Sequence, residues 1–156
     1  QRDGDIVGVD AYPRLLFNVP PGDYYVAVRH RNHFGVMSSL GLALNATAVN
    51  YDLSLPAFAT YGTNARTTLA PNRMGQWSGN TFRDGVLKYT GLSNDRDPIL
   101  LQVGSTVPTN TVSSYSKNDV NLDGVVKYTG PGNDRDPIIV NLGGNTPNAT
   151  RTEQLP

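Results

Sequence analysis

The chain has no cysteine among its 156 residues. That excludes a disulfide scaffold, a thiolate zinc site and a cysteine nucleophile. Glutamate is almost absent: of 13 acidic residues, 12 are aspartate and Glu153 is the exception. Lysine is scarce, at 3 against 10 arginines. Neither sign of charge prevails, since 13 basic residues balance 13 acidic ones, so nothing in the charge argues for nucleic acid or an anionic membrane as partner. No apolar run approaches about 18 residues, so no membrane-inserted helix is expected. The sequence starts at Gln1, with neither Met nor a signal peptide, and reads as a mature fragment or an excerpt of a longer precursor.

What is present is turn and strand chemistry. Gly (16) and Pro (11) are abundant, and strong helix formers are few. Short carboxylates belong in turns, caps and oxygen-ligand sites. Residues 1–76 read as an N-terminal β-sandwich of six or seven short strands. In "LLFNVPPGDYYVAVRHRN", Pro20-Pro21-Gly22-Asp23 is expected to turn the chain between two strands. Tyr24, Val26, Val28 and His30 should share one face of the second strand, with Tyr25, Ala27, Arg29 and Arg31 on the other. Leu40, Leu42 and Leu44 alternate in a further run.

Residues 77–143 repeat themselves. "NTFRDGVLKYTGLSNDRDPI" (80–99) returns as "DVNLDGVVKYTGPGNDRDPI" (119–138), a period of 39 residues. Two copies are too few for a solenoid, and paired units packing on each other are the better expectation. Residues 144–156 have little to bury and read as an extended or mobile tail.

The second copy carries oxygen ligands in alternation. Asp119, Asn121 and Asp123 precede Gly124, the spacing of the first half of an EF-hand loop. Val125 would add its carbonyl. A hard dication takes six to eight oxygens at roughly 2.3–2.6 Å, and short alternating acids in a tight loop point inward together. The standard closing acid is missing, because that place falls on Gly130. The loop is lengthened, and Asp134 or Asp136 would close it. Asp136 before Pro137 reads as a helix cap, with Gly143 as the stop. The first copy offers a weaker site from Asn80, Asp84, Val86, Asp95 and Asp97, because Asn80 and Phe82 replace Asp119 and Asn121.

The pattern D-x-N-x-D-G-x-V, followed by an acid opening a short helix, resembles the dockerin calcium loop. Over nearly the whole chain, "YYVAVRHRNHFGVM", "VKYTG..NDRDPI" and "NATRTEQLP" resemble the carboxy-terminal module of large secreted or surface proteins of the Bacteroidota. The resemblance implies an extracellular, cell-surface setting, a β-rich front half and a paired dockerin-like unit with short helices behind. The lengthened loop departs from dockerins, so their partner binding is not carried over.

No Walker loop, G-x-G-x-x-G, H-E-x-x-H or G-x-S-x-G occurs, and the paired aspartates sit where a cation would occupy them. The chain therefore reads as no enzyme. His30 and His33, three apart on a strand, should lie on opposite faces, a poor arrangement for one metal. Tyr89 and Tyr128 should pack against the loops, and Trp77 should plug the boundary between the halves. The expected function is a calcium-stabilised structural or adhesive module, with a carbohydrate-binding or docking module as the alternative. Its partners would be further copies, as an oligomer or filament, or other surface proteins and glycans. Terminal strand exchange through "DIVGVD" or residues 144–156 would build the filament.

Overall fold

A computed structural model describes residues 6–12 and 14–156. Gly and Pro interrupt the front half so often that no strand exceeds five residues. The strands are β1 (Gly22–Tyr24), β2 (Ala27–Val28), β3 (Val36–Met37), β4 (Leu42–Leu44), β5 (Arg66–Ala70) and β6 (Arg73–Gln76). They pair antiparallel as β1 with β4, β2 with β3 and β5 with β6. The mainly β expectation holds, and these six strands form three narrow ribbons. The alternation holds through His30: Tyr24, Val26, Val28 and His30 are half-buried, while Tyr25, Ala27 and Arg29 are exposed; Arg31, expected on the exposed face, is half-buried.

The expected hairpin at Pro20-Pro21 does not form. Two successive prolines remove two backbone donors, so pairing begins only beyond them. Gly22 then lies opposite Leu44 inside β1 rather than in a turn. Residues 14–20 run without a partner strand and leave Leu16 and Phe17 exposed. The "DIVGVD" strand is likewise corrected. Asp5 lies outside the described residues, and from Gly8 the chain turns, the Gly8 amide donating to the Tyr12 carbonyl and the Ala11 amide to the Gly8 carbonyl.

The repeats give β7 (Val86–Lys88), α1 (Arg96–Gln102) and β8 (Thr111–Ser113), then β9 (Val125–Lys127), α2 (Asp136–Asn141) and β10 (Thr150–Thr152). Strand pairing is crossed between copies: β8 of the first pairs with β9 of the second, and β10 of the second returns to β7 of the first. Side chains repeat the crossing. The Thr129 hydroxyl donates to the Pro108 carbonyl and the Thr90 hydroxyl to that of Pro147, each at 3.0 Å. Residues 144–156 are therefore not a mobile tail; Thr150–Thr152 is the strand that completes the first copy. The repeat continues past residue 143, because β10 follows β8 at the same interval.

The core lies between the copies and is built from equivalent pairs. Leu87 and Val126, Ile99 and Ile138, and Val103 and Leu142 are all buried there. Burying each large aliphatic side chain contributes about 1.5–3 kcal/mol. The front half inserts Phe34 into this cluster. Asn32, buried beside it, ties both copies together. Its carbonyl accepts the amides of Gly79 and Asn80, and its Nδ2 donates to the carbonyls of Lys117 and Asp119.

Candidate functional site

Both copies turn sharply at the same point. Gly85 and Gly124 have positive φ, and so do the preceding non-glycine residues Arg83 (64°) and Leu122 (63°). Left-handed backbone at such residues costs on the order of 1–2 kcal/mol, so the surrounding bonds must hold the loops in this shape.

In the second loop those bonds come from the expected ligands. Asp119 Oδ2 accepts the Gly124 amide at 3.1 Å. Asn121 Oδ1 accepts the Asp123 amide at 3.0 Å, and Asp123 Oδ1 accepts the Val125 amide at 2.8 Å. Asn121 Nδ2 donates to the Gly132 carbonyl and to Asp123 Oδ2. The other oxygen of Asp119, Oδ1, is buried without a partner, in a residue only 2% exposed. An unpartnered buried carboxylate oxygen is costly and calls for a cation or a donor. Arg31 supplies part of that charge, with Nη2 at 3.5 Å from Asp119 Oδ2, while its Nε donates to the Ser116 carbonyl.

The acids expected to close the loops have other work. Asp134 is fully buried, and its carboxylate accepts the amides of Val120 (2.6 Å), Asn121 (3.2 Å) and Lys127 (2.7 Å). Asp95 does the same in the first copy, accepting the amides of Phe82 and Lys88. Burial is the main cause that pushes Asp95 up to about 6, and it raises Asp134 as well. Both oxygens of each acid thus face amides, so these two residues clamp backbone, as Asp119 and Asp123 do within their own loop. The cap expected at Asp136 is corrected. The caps are Asn133 and Asn94, whose Oδ1 atoms accept the amides of Arg135 and Asp136, and of Arg96 and Asp97. Each asparagine returns a bond from Nδ2 to the aspartate, a reciprocal cap.

Among the described residues no three His, Cys, Asp or Glu side chains converge as a metal site. A cation at the second loop would therefore draw on Asp119, Asn121, Asp123 and the Val125 carbonyl, with water filling the rest. That oxygen donor set fits a calcium ion.

The first loop differs in charge. Asn80 occupies the place of Asp119 and also keeps a buried, unpartnered Oδ1. A cavity of about 310 Å³ opens beside it, lined by Arg29, Arg31 and Arg83 as well as Asp84. Three guanidinium groups outnumber the two carboxylates of the lining, Asp84 and Glu153, and that positive balance weighs against the weaker site at Asn80, Asp84 and the Val86 carbonyl.

His30 and His33 meet at this cavity, against the expectation of opposite faces. β2 ends at Val28, so strand alternation no longer applies, and the two Nδ1 atoms lie 2.8 Å apart. Asn32 fixes the tautomer. Its Nδ2 is committed to two carbonyls, so its Oδ1 faces His33 Nδ1 at 2.7 Å and that nitrogen carries the proton. Burial first, then His30 and Arg31, lowers His33 to about 3.

Tyr89 and Tyr128 pack against the core, and each carries an arginine on its face, Arg96 and Arg135 respectively. Trp77 sits under the Arg151 guanidinium at 3.5 Å and donates to the Asn64 carbonyl. The repeated "ND" dipeptide was the sequence signal for the asparagine caps; Asn32 and Arg31 carried none. No family model, curated protein or solved structure matches this chain.

Proposed function

We propose that the chain is a non-catalytic, calcium-stabilised structural or adhesive module of an extracellular bacterial surface. The observation that supports calcium is the buried, unpartnered Asp119 Oδ1, beside Asn121 and Asp123 in a loop whose Asp123, Gly124 and Val125 amides are already bonded. An ion there would complete the second loop and stiffen the unit that both repeats share. The ligands are Asp119, Asn121, Asp123 and the Val125 carbonyl. Association between copies would use the front segment, because β10 is engaged within its own chain while Leu16 and Phe17 stand exposed.

Calorimetry in metal-free buffer, with calcium then titrated in, tests the first part. Binding to the folded state alone raises the melting temperature by mass action. Asp123→Ala should abolish that rise and Asp84→Ala should leave it. An unchanged melting point in the parent chain sinks the calcium reading. Light scattering with and without residues 1–19 tests association, and two equally monomeric samples would sink that part.

A further inference from the structure

The two loops are alike in backbone and unlike in what surrounds them. The second gathers Asp119 and Asp123. The first faces the cavity of about 310 Å³ with Arg29, Arg31 and Arg83. Two of these cations are already engaged: Arg29 pairs with Glu153 at 3.3 Å, and Arg31 with Asp119 at 3.5 Å. Arg83 is exposed and makes no ion pair among the described residues. The acids that line the cavity are committed in part. Asp84 Oδ1 accepts the Val86 amide, and Glu153 Oε2 accepts the Gly35 amide. Asn80, 6% exposed, brings a buried oxygen acceptor with no donor to meet it.

We propose that this cavity binds a small hydroxylated carboxylate, a single uronic acid unit of an acidic polysaccharide. Arg83 would take the carboxylate through its planar fork, which suits that group in two parallel hydrogen bonds. Asn80 lines the cavity, and a turn of its side chain would bring the orphan Oδ1 out to accept from a ring hydroxyl. The cavity is at the small end of ligand pockets, which run from about 300 Å³, so it suits one ring rather than a chain. The site shares only Arg31 with the surroundings of the calcium loop and takes its ligand through Arg83 and Asn80, which the calcium loop does not use, so either can fail without the other.

Isothermal titration of the intact chain with sodium glucuronate, in buffer stripped of metal on a resin, tests it. Glucose and sodium sulfate serve as the separate arms. Glucuronate should bind, and glucose should bind at least about tenfold more weakly, as expected when a charge-assisted pair is lost. Arg83→Gln should weaken glucuronate by a similar factor, and Arg83→Lys, which keeps the charge but not the fork, by less. Asp23→Asn, which removes an exposed acid that does not line the cavity, should change nothing. Melting curves of each variant confirm the fold. Absence of glucuronate binding, or binding indifferent to Arg83→Gln, overturns the site. Sulfate binding as tightly as glucuronate overturns the sugar assignment. Calcium captured here through Asp84 overturns the inference as a whole.

Discussion

Arg151 lies directly opposite Leu87 in the ladder that closes the first repeat. The same stretch places the Arg151 guanidinium on Trp77 and the Glu153 carboxylate on Arg29 and Gly35. Removing residues 150–156 should therefore destabilise the whole unit, not trim a loose end. Several hydrogen bonds at about 1 kcal/mol each go with the strand, for a loss of about 3 kcal/mol or more. For a chain of this length that is roughly 6–12 °C in melting temperature. Thermal unfolding of the truncated chain checks it, and an unchanged midpoint would refute the closure.

Arg31 and calcium should compete for one role. Both would balance the Asp119 carboxylate, which is 3% exposed in its side chain. Without calcium, Arg31→Gln leaves that charge uncompensated and should cost about 3 kcal/mol. Saturating calcium should restore part of the loss. Urea unfolding with and without the ion measures the coupling, and equal losses in both conditions would mean the two cations act independently.

The core pairs should respond alike. Ile99 and Ile138 are both fully buried at equivalent positions. Each, changed to Ala, should cost about 2–5 kcal/mol, and the two costs should agree closely. Denaturant midpoints of the two variants test this; a large difference would show that one copy carries the core.

Acid should act on His33. Its folded-state value of about 3 lies below the ordinary 6.5, so the unfolded chain takes up this proton first. The stability it contributes is full above about pH 6.5 and is lost as pH falls toward 3, at up to about 1.4 kcal/mol per pH unit. Asp95 opposes this. Pushed up to about 6, it contributes stability below its unfolded value of 3.8, which is lost as pH rises through 6. His33→Gln should therefore lose less stability than the parent between pH 6.5 and 4.5. Melts at half-unit pH steps decide, and parallel profiles would mean that His33 is not held neutral.

The repeat, the turn at Gly124 and the period-two burial of residues 24–30 were legible because each is a local pattern with a local cause. The role of Asp134 was not legible. An acid before an arginine looks the same whether it meets a cation or three amides, and only the fold brings Val120, Asn121 and Lys127 to it. The His30–His33 contact was hidden for a similar reason. Sequence spacing predicts opposite faces only while the strand lasts, and β2 stops two residues short of His30. The destination of residues 150–152 was invisible in their composition, which is polar. Their partner is set by the symmetry of the repeats and not by their own hydrophobicity.

The crossed pairing of β7 with β10 and β8 with β9 also fixes an order of events during synthesis. A ribosome makes β7 first and β10 last among these four strands, so the first repeat waits for its closing strand until the second repeat has been made. Contacts so far apart in sequence slow folding, because the loop between them must be ordered before they reward it. A nascent chain that has emerged only as far as α2 would hold β8 against β9 while β7 still has an open edge. The β8–β9 ladder can thus form while the β7–β10 ladder is unmade, and the last strand to emerge seals the one that came out earliest.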